Sequence, residues 1–242
     1  MSDRVHELLN VYDAAGVVMG SMERGEAKSK GYAAGAVQLL LVGNDGRILL
    51  QRRRDDKENG GLWDKSVGGH VQAGETFDRA LLREANEELF GRADADRVAI
   101  VADLDAPVPT GQPIRARHVR TELGLRDIRY AASLDREIIN VTYHAAMYLG
   151  RTGLTLWDFA AQEEELADLD WFEPSRVDAM LVKGELAPNM GFLWFALGGA
   201  ALHLSVGGPQ SAQPPMAQGQ AAPSGEGCAQ PPRSGRSEFG LR

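Results

Sequence analysis

The 242-residue chain is 43% hydrophobic and 25% charged, the proportions of a compact globular domain rather than of a disordered or fibrous chain. Its 26 Lys and Arg against 34 Asp and Glu leave a net charge of −8, which argues against a non-specific hold on nucleic-acid phosphates. A single cysteine, Cys228, excludes an intrachain disulfide and a cysteine-built zinc cluster, and suits a reducing, cytoplasmic setting.

The N-terminus carries acids early and no apolar run behind a basic start, so no signal peptide is expected. Residues 34–43 and 47–52 read as two apolar strands joined by Asn44-Asp45-Gly46, hence a hairpin. Gly60-Gly61 opens a further short strand through Trp63 and Val67, and a strong helix is expected over 77–90 with Thr76 as N-cap. Residues 98–101, 128–132 and 138–149 look like strands, with 168–172 a shorter one and 174–182 a helix whose Pro174 sits in the first turn. Between them, residues 92–125 show little periodicity and hold Pro107, Pro109 and Pro113.

Residues 190–205 contain no formally charged side chain but are too short and glycine-rich for a membrane span, so they are expected to form a buried C-terminal helix. From 206 the composition changes: six Pro and seven Gly in 37 residues offer too little apolar surface to offset the entropy of ordering. The expected organisation is one α/β domain over 1–205, with helices packed around a mixed sheet, and a disordered tail over 206–242 that contains Cys228.

Chemistry concentrates in residues 68–75, Gly-Gly-His-Val-Gln-Ala-Gly-Glu, followed after seven residues by Arg83-Glu84-Ala85-Asn86-Glu87-Glu88. At roughly 100° per residue, Glu84, Glu87 and Glu88 share one helix face, within an arc of about 100°, while Leu81, Ala85 and Leu89 form a neighbouring stripe that can bury against a sheet. Three carboxylates this close repel one another, and a hard divalent cation relieves the repulsion: magnesium first, manganese second. Such a cation bridges carboxylates to substrate phosphates and activates water, so the face implies a phosphorylated small-molecule substrate. Gly68 and Gly69 let backbone carbonyls approach the metal, and Glu75 can pair with Arg83 to fix the Glu84 face. Arg52 and Arg53, with Arg54 and Lys57 nearby, can meet substrate phosphates through a guanidinium fork.

The arrangement resembles the signature of the Nudix family, which Gly69, Glu75, Arg83, Glu84, Ala85, Glu87 and Glu88 meet at the right spacing. Phe90 stands where that signature has Gly, and Gly91 where it has an aliphatic residue. Leu49-Leu50-Gln51-Arg52-Arg53, Gly61-Leu62-Trp63-Asp64 and the acidic run Glu163-Glu164-Glu165 before Trp171 look like the members related to isopentenyl-diphosphate isomerase. The resemblance implies a Nudix-type α/β/α sandwich and metal-dependent hydrolysis of a diphosphate linkage in a nucleoside diphosphate derivative. It assigns metal ligation to Glu84, Glu87, Glu88 and Gly68, a catalytic set of Glu84, Arg83 and Glu75, and a further ligand or base to Glu164 or Glu165. Two alternatives stay open: an isomerase-like enzyme on a prenyl diphosphate, and a non-catalytic nucleotide-sensing module. Where the isomerase relatives carry Cys-Gly-His, this chain has Gly68-Gly69-His70, which removes the thiol of the isomerase chemistry and leaves His70 between metal ligation and a hydrogen-bonding role. No membrane or nucleic-acid partner is expected, and a homodimer is left open.

Overall fold

The computed structural model describes residues 7–92, 96–130, 138–160 and 166–206. A hairpin of β1 (Leu8–Tyr12) and β2 (Val18–Glu23), which the sequence patterning did not announce, precedes a short helix α1 (Arg24–Ser29). Then come β3 (Ala33–Gly43), β4 (Ile48–Arg53), β5 (Trp63–Asp64), β6 (Val67–His70) and helix α2 (Phe77–Phe90). The remainder is β7 (Val98–Ile100), β8 (Ile114–Tyr130), β9 (Ile138–Thr152), a single 3-10 turn at Leu156–Asp158, β10 (Leu166–Phe172), α3 (Pro174–Lys183) and α4 (Pro188–Val206). Residues 161–165, with Glu163, Glu164 and Glu165, and residues 207–242, with Cys228, lie outside the described residues.

The main sheet runs β10-β4-β3-β9-β8-β7, with β1 and β6 also paired to β3 and β5 to β4. β3 with β9 and β7 with β8 are parallel and the other pairs antiparallel, so the sheet is mixed, as expected. Alternation along β3 divides the core: Val37, Leu39 and Leu41 pack with Leu81, Ala85 and Leu89 of α2, whereas Leu40 and Val42 pack with Val177 of α3 and with Met190, Leu193 and Leu197 of α4. The result is the expected α/β/α layering. Residues 190–205 therefore belong to a packed helix, and among the described residues no helix is long and apolar enough to cross a membrane.

Much of the stretch up to 125 that looked irregular is the first two-thirds of β8, a 17-residue strand. Its register against β9 shifts between His118 and Arg120 and again between Glu122 and Leu125, and Gly124 sits at φ 67°. Each shift resets the in–out alternation by which a strand is recognised.

The feature that positions the site is a fork in the sheet. β3 and β4 pair only at Leu41 with Leu49 and Val42 with Ile48. Past that point β3 turns to β6 and β4 to β5. Ser66, buried at the crotch, accepts from the Leu41 N–H at 2.8 Å and donates to the Leu49 carbonyl at 2.6 Å, replacing the ladder bonds the strands give up there.

Candidate functional site

Helix α2 starts where Thr76, in an extended conformation, accepts from the Arg79 N–H, and it ends at Gly91, whose φ of 67° suits a left-handed cap. The glycine expected at position 90 is thus displaced by one residue without loss of its effect. Phe90, in its place, is buried, its ring tilted against that of Phe159 with centroids 5.9 Å apart. Apolar packing of Leu81, Ala85 and Leu89 on the sheet turns Glu84, Glu87 and Glu88 toward a cavity of about 540 Å³ at the fork.

Arg83 ties the helix to the loop before it. Its Nε and Nη2 donate to the two oxygens of Glu75 at 2.9 and 3.0 Å, its Nη2 also to the His70 carbonyl at 2.9 Å, and its Nη1 to Glu84 at 2.8 Å and Glu87 at 3.3 Å. Burial opposes ionisation of Glu75, but Arg83 and the Gln72 N–H hold its carboxyl below the usual range. A Cβ on Gly69 would fall 1.9 Å from Glu84 Cδ, so only glycine lets β6 pass this close to the carboxylate. Gly68 donates its N–H to Glu88 Oε2 at 3.1 Å, and Gln51 on β4 donates its amide to the same oxygen at 3.3 Å.

Burial pushes the carboxyl of Glu84 up against the opposing pull of Arg83, with the charges of Glu87 and Glu7 adding to the rise. Glu88 is pushed up to about 8 by burial and by the charge of Glu84. Among the described residues no three His, Cys, Asp or Glu side chains stand in an arrangement that could hold a metal ion; Arg83 holds Glu84 and Glu87, while Gln51 and Gly68 hold Glu88. The donor set nonetheless fits a hard divalent cation: the carboxyls of Glu84 and Glu88, both pushed up and the second partly by the charge of the first, face one cavity, and added positive charge there would stabilise both ionised forms.

Facing them are Arg24, Arg53, Lys57 and Lys65, which also line the cavity. Arg53 thus lines the cavity that the three glutamates face. Arg52, one position earlier on β4, points the other way, is exposed, and gives its Nε to the Gly61 carbonyl; it does not line the cavity. His70 lines the cavity, its ring 5.7 Å from that of Tyr143. Sequence reasoning missed Lys65, which is buried, bonds Asp64 Oδ1 at 3.0 Å, and lies so near Gly68 that a Cβ there would be 2.0 Å from its Cε. Asp64, beneath it, also takes Arg53 Nη1 at 3.2 Å. It missed Gln38 and Asn189 too, buried amides of the cavity wall contributed by β3 and α4. Neutral amides scattered over 150 residues leave no spacing signal; the only sequence cue was an acid-base pair, Asp64-Lys65, directly before the glycines.

Residues 32–190 match the family model described as the NUDIX domain. The uncharacterized Nudix hydrolase PA4841 of Pseudomonas aeruginosa is 30% identical over 142 residues, which span 51% of this chain and 84% of that protein. An isopentenyl-diphosphate Delta-isomerase of Leifsonia xyli is 29% identical over 174 residues, 72% of this chain and 78% of that one. Among solved structures, DR0079 from Deinococcus radiodurans superposes with a TM-score of 0.55 at 21% identity, covering 78% of this chain and 98% of that one, a likeness of fold.

Proposed function

Because the chain belongs to the Nudix family, we propose that it is a divalent-metal-dependent hydrolase that cleaves a diphosphate linkage in a nucleoside diphosphate derivative. The observation that carries this reading is the pairing, in one cavity, of the Glu84, Glu87 and Glu88 carboxylates with Arg53, Lys57 and Lys65. Carboxylates suit a cation and cations suit phosphate oxygens, so a diphosphate between them is held from both sides.

Glu84, Glu87 and Glu88 would hold magnesium or manganese, with the Gly68 backbone beside them. When bound, the cation supplies an electrophile for phosphate oxygens and lowers the pKa of a water. Arg83 and Glu75 act as positioning residues: their paired bonds fix the loop and the Glu84 face relative to each other. Arg53, braced by Asp64, and Lys65 hold the phosphates against the carboxylates. Glu164 and Glu165 remain candidates for a further ligand or base.

The isomerase relatives give a second reading some weight. Against it stands Gly68, whose missing side chain leaves room that the Lys65 stem occupies, so residues 68–75 carry no thiol to exchange a proton with carbon. Incubation with magnesium and a panel of nucleoside triphosphates, dinucleoside polyphosphates, nucleotide sugars and prenyl diphosphates tests the proposal. Phosphate-bearing cleavage products from a nucleotide substrate are expected. Deuterium at carbon in isopentenyl diphosphate recovered from deuterated water would overturn it in favour of isomerisation, and tight nucleotide binding without turnover in favour of a sensor.

A further inference from the structure

Gln38 and Asn189 stand apart from the charged groups of the cavity. Gln38 is 2% and Asn189 7% exposed, yet the Oε1 of one and the Oδ1 of the other are covered and have no hydrogen-bond partner among the described residues. Buried amides almost always find partners, because an unmet donor or acceptor forfeits its hydration with no return. Gln51, the third such amide of the cavity, differs: its NH2 is committed to Glu88, so it belongs to the carboxylate cluster.

The two bare amides share a face. Along β3, Gln38 lies between Val37 and Leu39, which face α2, so it takes the opposite face, the one that α4 covers, and Asn189 is in the first turn of α4. Gln38 is also the register partner of Gly68 in the β3–β6 arm of the fork. The cavity therefore passes from the carboxylates on the α2 face, by way of Gly68 and Gly69, to the amides on the α4 face. A diphosphate at the carboxylates would send one of its substituents toward Gln38 and Asn189.

We propose that Gln38 and Asn189 recognise that substituent, and that it is a neutral group presenting hydrogen-bond donors and acceptors side by side. A carboxamide offers both on one plane, which suits a nucleobase edge or the vicinal hydroxyls of a sugar and leaves an isoprenoid chain nothing to pair with. The inference deepens the hydrolase reading and rests on it, since that reading puts the diphosphate beside the carboxylates. It also gives the two amides a reason to stand in the cavity wall: a turn about the terminal side-chain torsion brings each covered oxygen to the ligand, and an analogue lacking the matching groups leaves it buried and unmet.

The test is calorimetric titration of the metal-free full chain with CMP, UMP, AMP, GMP, ribose 5-phosphate and inorganic diphosphate. It is run on wild type and on Gln38→Met and Asn189→Leu, near-isosteric apolar replacements, with thermal unfolding alongside. We expect at least one nucleoside monophosphate to bind tightest and to lose about tenfold in affinity in each variant. Inorganic diphosphate binding should be unchanged, and Tm unchanged or raised because an unpaired buried amide has been removed. If ribose 5-phosphate matches the nucleotides and suffers the same loss, the assignment stands with sugar hydroxyls as the group read. Unchanged binding of every nucleotide and sugar phosphate in both variants, or a fall in Tm with ligand affinity intact, overturns it, the latter by showing that the amides serve the fold. Failure of the hydrolase reading registers separately, as absence of cleavage with magnesium in an otherwise binding-competent wild type.

Discussion

Asp64→Asn isolates the buried charge cluster that braces Arg53 and Lys65 on the cationic side of the cavity. Asp64 is almost fully buried; burial alone would raise its carboxyl, but the charges of Lys65 and Arg53 outweigh it and hold the group at about 2 against an ordinary 3.8. Each pH unit of that lowering is worth about 1.4 kcal/mol, so the ionised carboxylate contributes about 2 to 3 kcal/mol to stability at neutral pH. The sign follows from the direction of the shift: for a lowered carboxyl the contribution is complete above the unfolded value near 3.8 and disappears as pH falls through about 2. Asparagine keeps the size and one acceptor but leaves the Lys65 ammonium buried beside a neutral group. Urea unfolding of both proteins from pH 7 down to pH 2 reads the difference directly, and titrations common to the two cancel. A gap of about 2 to 3 kcal/mol at pH 7 that closes below pH 4 is expected. A gap under about 0.5 kcal/mol at pH 7, or one that stays constant across the range, would refute the argument that paired charge holds Asp64 ionised.

Glu88→Gln and Glu87→Gln should each lower turnover by orders of magnitude with the fold intact, measured as product release at limiting magnesium. For Glu88→Gln the metal-free Tm should hold or rise, because the carboxyl it replaces is pushed up to about 8, and the Tm increase on adding magnesium should shrink. Ser66→Ala leaves the Leu41 N–H and the Leu49 carbonyl buried without their bridge, and should cost about 2 to 4 kcal/mol in urea unfolding. Truncation after Ser205 should leave Tm and activity nearly unchanged, since the removed segment has no apolar face to pack; a large fall in Tm would show that the boundary lies further on.

What could be read from the sequence was local. α2 spans the expected 77–90 because its cap, its apolar stripe and its acidic face all lie within fifteen residues and obey one period. The β3–β4 hairpin was readable from Asn44-Asp45-Gly46 and its apolar flanks. The β1–β2 hairpin was not, because β2 is an exposed edge strand, with Val18 and Met19 open to solvent, and shows no buried alternation. β8 was hidden by its two register shifts. At the site, the common face of Glu84, Glu87 and Glu88 on α2 was readable because their spacing falls within little more than one turn. Arg52 was misassigned beside Arg53 because composition cannot say which of two adjacent arginines faces inward once the strand's partner changes at the fork. Lys65, Gln38 and Asn189 answer to the fork and to α4, and contacts so distant in the chain leave no local mark.

The two sides of the cavity differ in how far along the chain their parts must travel. Residues 64–90 bring together the carboxylates, their arginine and the glycine strand within a single short run. The amide wall needs Asn189 to reach a strand that began at Ala33, and it rests on the parallel pairing of β3 with β9, in which Ala34 meets Tyr143. Long-range parallel pairing closes slowly because the loop entropy must be met before the contacts reward it. A chain synthesised from its N-terminus accordingly has its acidic helix in place while the opposite wall is still unmade, and the cavity closes only when α4 docks.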